Sequence, residues 1–94
     1  MNLRQLKAFQ AVCRTGSIPR ASELIHLSQP ALTRQIQDLE SFCGCKLFER
    51  TRHGIVLTDE GELFRVRAEE MLSLAERTQR ELKEAGGFTG GIVR

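Results

Sequence analysis

Residues 16–40 read GSIPRASELIHLSQPALTRQIQDLE, and the fold turns on how that stretch divides. Gly16 is a natural helix stop, because glycine accepts the left-handed backbone that ends a helix. Ser17 can cap a new helix, with Pro19 in the first turn, where a missing N–H costs little. That helix is short, about residues 18–25, with Ala21, Leu24 and Ile25 as its inner stripe. Only His26, Leu27 and Ser28 separate it from the next. Ser28 is again a cap and Pro30 again falls in a first turn, so a third helix is expected from Gln29 to Cys43. Its apolar residues Leu32, Ile36, Leu39 and Cys43 step by four, three and four along one face. On the opposite face the 100° helical repeat gathers Pro30, Thr33, Arg34, Gln37 and Ser41, a polar and uncrowded surface.

The flanking segments complete the pattern. Upstream, Leu3, Leu6, Phe9, Val12 and Cys13 recur at helical spacing over about residues 2–14. Downstream, Gly44 ends the third helix. Lys46–Glu49 and Ile55–Leu57 read as short strands around a basic hairpin tip, Arg50-Thr51-Arg52-His53-Gly54. Thr58-Asp59-Glu60 then opens a helix, with a capping hydroxyl and acids where the helix dipole favours them. This last helix extends to about Ala85, roughly 40 Å at 1.5 Å per residue. Along it Phe64, Ala68, Met71, Ala75, Thr78 and Leu82 alternate by four and three, with Leu63, Val66 and Leu74 partly off the line. So much apolar surface on one long helix calls for a partner. The start is expected to fold back on the first three helices and the remainder to pair with a second copy.

Gly86-Gly87-Phe88-Thr89-Gly90-Gly91 has the composition of a hinge. It is no phosphate loop, since no Lys-Ser/Thr opens a helix after it. Ile92-Val93-Arg94 reads as a strand that is cut off, so something further is expected to follow. The expected organisation is therefore a mainly α, winged helix-turn-helix unit over 1–58 (three helices plus a two-stranded wing), a linker and dimerisation helix over 59–85, and a hinge over 86–94.

Composition narrows the function. Ninety-four residues fit one small domain. Residues 1–54 hold eight Lys/Arg against four acids, whereas residues 55–94 hold six against eight. A basic first half joined to an acidic helical second half suits a polyanion on one side only. The N-terminus MNLRQLKAFQ has no apolar signal region, no run is long enough to span a membrane, and the three cysteines are an odd count. A cytoplasmic protein is expected.

In the general docking geometry of this motif, the second of the paired helices enters the major groove N-terminus first. Its outer residues suit that task. Arg34 can bond guanine O6 and N7 together, Gln29 and Gln37 can pair with adenine, and Thr33 can reach a base edge or a thymine methyl. Ser17 and Ser28 begin helices, where N–H groups and the positive dipole end suit phosphate. Arg50, Arg52 and His53 can follow the backbone or enter a minor groove.

Leu-Arg-Gln-Leu-Lys-Ala-Phe at 3–9, GSIPRASELIHLSQPALTRQIQDLE at 16–40 and KLFERTRHGIVLTDEG at 46–61 closely resemble the N-terminal domain of LysR-type bacterial transcriptional regulators. The likeness runs on through the long helix into the Gly-rich hinge. It implies binding to an interrupted palindrome in double-stranded promoter DNA, as a homodimer or a dimer of dimers. It places the positions of Gln29, Pro30, Thr33 and Arg34 at the major groove and those of Arg50 and Arg52 at the wing. It also implies a small-molecule inducer, bound by a C-terminal domain beyond this stretch. Thr33 stands where the family more often has Ser, Ile18-Pro19 where it has Phe then Ser or Thr, Ser22 where it has Ala, and His53 where Gly or a basic residue is frequent.

Rival readings fare less well. A winged-helix protein-interaction module would carry apolar or acidic groups on its third helix, not Pro30, Thr33, Arg34 and Gln37. Cys43-Gly44-Cys45 with a distant His53 makes a poor zinc set. Cys43 and Cys45, like Cys13, read as packing residues, and His26 reads as a turn residue. With no nucleophilic triad or paired carboxylates in a pocket, the sequence indicates no enzyme, and neither a metal nor a cofactor is expected.

Overall fold

The computed structural model describes residues 1–86. Four helices and one hairpin follow in the order α1 (Leu3–Thr15), α2 (Ile18–Ile25), α3 (Gln29–Cys43), β1 (Phe48–Thr51), β2 (Gly54–Leu57) and α4 (Asp59–Gly86). The Gly87–Arg94 part of the expected hinge and cut-off strand lies outside the described residues.

Local chemistry sets the helix ends. Asn2 and Gln5 form a reciprocal capping box at the start of α1: Gln5 N–H donates to Asn2 Oδ1 at 2.8 Å and Asn2 N–H to Gln5 Oε1 at 3.2 Å. Gly16 and Gly44 close α1 and α3 in the left-handed region, with φ of 65° and 75°. The hydroxyls of Ser17, Ser28 and Thr58 accept the N–H groups of Arg20, Ala31 and Gly61. His26 ends α2 with φ 58°, a backbone region that disfavours a side chain.

The core forms around α1, which packs against α2, α3 and α4. That is why α1 buries Leu6, Ala8, Phe9, Ala11 and Val12 rather than one narrow stripe. Phe9 is fully buried, with the Phe48 ring of the wing 5.1 Å away and the Phe64 ring of α4 edge-on at 5.0 Å. Burying a side chain of this size stabilises by about 2–3 kcal/mol, before any gain from the ring geometry. From α3 come Leu32, Ile36 and Leu39, and from the connection to the wing Leu47.

Two residues expected inside are not. Leu24 is 49% exposed; the inner positions of α2 are Ile18, Ala21, Ser22 and Ile25, spaced three, one and three. Ser22 is tolerated there because its hydroxyl donates to the Pro19 carbonyl at 2.8 Å. Leu3, in the first turn of α1, also faces outward.

The wing strands differ in their bounds from the expected ones. β1 begins at Phe48, not Lys46, and pairs antiparallel with β2 as Phe48 with Leu57, Glu49 with Val56, Arg50 with Ile55 and Thr51 with Gly54. The physical reason is that the backbone just before it is already engaged. The N–H groups of Leu47 and Phe48 donate to the Glu40 carboxylate, and the carbonyls of Lys46 and Leu47 accept from Thr58. The hairpin tip therefore shrinks to Arg52-His53, and Arg50 lies within a strand.

Candidate nucleic-acid interface

The inner face of α3 is sealed: Leu32 and Leu39 are fully buried and Ile36 nearly so. Half a turn away the chain has no choice but to present its remaining side chains outward. Gln29, Pro30, Thr33, Arg34 and Gln37 line one open concave surface along the first half of α3. All are exposed except Thr33, which is half-buried. The five residues chosen from the sequence for the major groove thus share one surface.

A second groove, of about 390 Å³, runs between α3 and the wing. Thr33 and Gln37 border it on one side, and Lys46, Arg50 and Ile55 on the other. Lys46 was not singled out by the sequence reading, though a base two residues after the glycine stop of α3 was a usable signal. Arg52 and His53 are exposed at the hairpin tip. The tip is shaped by Thr51, whose hydroxyl donates to the Gly54 carbonyl at 3.0 Å and accepts the His53 N–H at 3.1 Å. Gly54 itself has φ 119°, which a side chain would resist.

Among the described residues, the side chains of Arg34, Arg50 and Arg52 pair with no acid, while Lys46 lies 3.7 Å from the Glu40 carboxylate and Arg65 and Arg67 pair with Glu62 and Glu70 on α4. Unneutralised guanidinium groups keep their full donor fork for a ligand. Ser17 and Ser28 each use an oxygen lone pair in capping, which leaves the O–H available to donate.

The residues expected along the pairing seam of α4 divide into two groups. Ala68 is only 2% exposed, and Phe64 and Met71 are half-buried against the chain's own core. Ala75 is half-buried, and Thr78 and Leu82 are exposed. Leu63, Val66 and Leu74 add further apolar surface on the outside of the helix.

The cysteines lie apart from this surface and are all free thiols. Burial pushes the Cys13 thiol from its ordinary value near 9 up to about 12, against an opposing pull from the Arg65 guanidinium. Burial also raises Cys43, helped by the neighbouring Cys45. No cluster of three His, Cys, Asp or Glu side chains suited to a metal occurs among the described residues. None of the described helices is long and apolar enough to cross a membrane.

Known proteins share this arrangement. Residues 3–62 match the family of bacterial regulatory helix-turn-helix proteins of the lysR type. All 94 residues align at 47% identity with the HTH-type transcriptional regulator TfdT of Cupriavidus pinatubonensis (strain JMP 134 / LMG 1197), of which they span 41%. The crystal structure of the CbnR_DBD–DNA complex superposes with a TM-score of 0.88 at 41% identity, covering 93% of this chain and all of that one. The BenM_DBD/catB site 1 DNA complex gives 0.87 at 34% identity, over 98% of this chain and all of that one. With the family pattern covering well over half its length and the solved relatives matching it from α1 through α4, the chain belongs to the LysR family of bacterial regulatory helix-turn-helix proteins.

Proposed function

We propose that this chain is the operator-reading part of a cytoplasmic transcription regulator. Residues 1–58 form the DNA-binding unit, 59–85 the linker and dimerisation helix, and 86–94 the hinge to an inducer-binding domain. The first half of α3 lies in the major groove of promoter DNA. Arg34 grips a guanine, Gln29 and Gln37 read neighbouring bases, and Thr33 and Pro30 contact thymine methyls or base edges. Ser17 and Ser28 bond phosphates at the helix starts. Lys46 and Arg50 follow the backbone along the groove beside α3, while Arg52 and His53 reach the next backbone or minor groove.

One observation carries the reading: Gln29, Pro30, Thr33, Arg34 and Gln37 share a single continuous surface, and the groove beside it holds Arg50, which forms no ion pair. It is supported by two solved relatives that are themselves DNA complexes.

Pairing with a second copy uses the outer part of α4. The first half of the seam is committed to the chain's own core, so the partner helix packs on Leu63, Leu74, Ala75, Thr78 and Leu82, with Val66 at the margin. Two recognition helices on one body then read an inverted repeat, and bivalency multiplies the affinity of either half.

The test is selection of bound fragments from sheared genomic DNA at near-physiological salt, followed by sequencing. An enriched inverted repeat is expected, with affinity falling steeply as salt rises. Equal retention of every fragment, whatever its sequence, would sink the base-reading assignment.

A further inference from the structure

The chain passes from α3 into the wing through Lys46, Leu47 and Phe48. Glu40, in the last turn of α3, reaches across to them. Its side chain is only 11% exposed. Oε2 accepts the N–H of Leu47 at 2.8 Å and of Phe48 at 3.2 Å, and Oε1 lies 3.7 Å from the Lys46 ammonium. The carbonyls of the same segment face the other way. Thr58 donates its hydroxyl to Lys46 O at 2.7 Å and its N–H to Leu47 O at 3.0 Å. The recognition helix thus holds the segment by its amides, and the start of α4 holds it by its carbonyls.

We propose that Glu40 is a positioning residue for DNA binding, which touches no DNA but fixes the wing relative to α3. The proposal rests on the reading of α3 and the wing as DNA elements. A carboxylate suits the role because two donors converge on one oxygen, and charge-assisted bonds are the stronger kind. Leu47 and Phe48 are buried, so water cannot simply replace the lost acceptor. Glutamine keeps an acceptor oxygen but turns an amide N–H₂ toward the Lys46 ammonium. Alanine removes both functions.

The experiment compares the 94-residue chain with Glu40→Ala and Glu40→Gln by amide hydrogen exchange, then by footprinting on the selected DNA. Exchange is expected to quicken at Leu47, Phe48 and the wing strands while α1 and α2 keep their rates. DNA affinity should fall about tenfold in Glu40→Ala and less in Glu40→Gln. Phosphate protection flanking each half-site should be lost, while guanine N7 protection under α3 persists. Unchanged wing exchange, or equally faster exchange in α1, overturns the proposal, the second because Glu40 would then serve general stability. A loosened wing with wild-type affinity and footprint overturns it too, yet leaves the DNA-binding reading standing. A wild-type chain that selects no DNA defeats that reading instead, and the DNA half of this proposal falls with it, whatever the exchange data say of the wing.

Discussion

Replacing Gly61 with alanine should damage this fold far more than its place in an ordinary helical turn suggests. Gly61 is buried in the first turn of α4, and its N–H donates to the Thr58 hydroxyl at 2.9 Å. A Cβ built there collides with the Leu47 carbonyl oxygen, and lies 2.8 Å from Leu57 Cδ2 and 3.0 Å from the Leu47 carbonyl carbon. The Leu57 side chain can swing aside, but the Leu47 carbonyl cannot. It accepts the Thr58 N–H, and the amide of the same residue is held by Glu40.

Overpacking of this kind costs about 1–3 kcal/mol. If α4 lifts away, the Thr58–Leu47 bond is lost in a buried setting, which adds about 1–3 kcal/mol. The better helix propensity of alanine returns only about 1 kcal/mol. The net loss is about 2–4 kcal/mol, which for a chain of this length lowers Tm by roughly 10–20 °C. Thermal unfolding followed by circular dichroism, at matched protomer concentration, measures it. Gly44→Ala is the control: its φ of 75° is strained for alanine, yet nothing lies within 4 Å of the added Cβ, so about 1 kcal/mol is expected. A Gly61→Ala variant as stable as the parent, or more damaged at Gly44 than at Gly61, would refute the close-approach argument.

His26→Gly should stabilise by roughly 0.5–1 kcal/mol, because φ 58° strains any side chain there and glycine removes the strain at some entropic cost; a lower Tm would contradict this. Arg34→Ala should lose about 1–3 kcal/mol of discrimination at one base pair, while equal weakening on selected and scrambled DNA would deny the residue a base-reading role. Since burial raises the Cys13 thiol to about 12, the stability gained by keeping it neutral is complete below pH 9 and is lost as pH climbs from 9 to 12. Wild type should therefore shed more stability than Cys13→Ala across that window, and parallel Tm profiles would show otherwise. Leu82→Lys should dissociate the pair without lowering the monomer's Tm, whereas Met71→Lys should lower both, as sedimentation and calorimetry at low concentration would reveal.

Helix boundaries were legible in the sequence because capping chemistry is local. Gly16, Ser17, Ser28, Gly44 and Thr58 each end or begin a helix through a bond no more than a few residues away. The outer face of α3 was legible for a similar reason, since a sealed apolar stripe fixes everything opposite it. The start of β1 was not, because it depends on Glu40 and Thr58, seven to twelve residues from the backbone groups they engage. Nor did any local pattern mark Gly61, whose importance lies in the carbonyl it approaches. In α2 the periodicity admitted Leu24 as readily as Ser22, and only the packing of α1 against that helix chose between them.

The stripe on α4 shows a different kind of limit. Phe64, Ala68, Met71, Ala75, Thr78 and Leu82 form one geometric line, and periodicity treats them alike. The fold does not. Phe64 and Ala68 meet a core already built by α1, while Leu82 lies several turns beyond its reach and is 66% exposed. A helical repeat reports which residues face the same way, but what covers them depends on how far the rest of the chain extends alongside. Here α4 spans 28 residues, and only its first half has helices beside it. The unclaimed apolar surface therefore runs the length of the helix, from Leu63 and Val66 in its first half to Leu74 and Leu82 in its second, and any partner must be long enough to run beside that stretch rather than across it. A second α4 meets that requirement by construction.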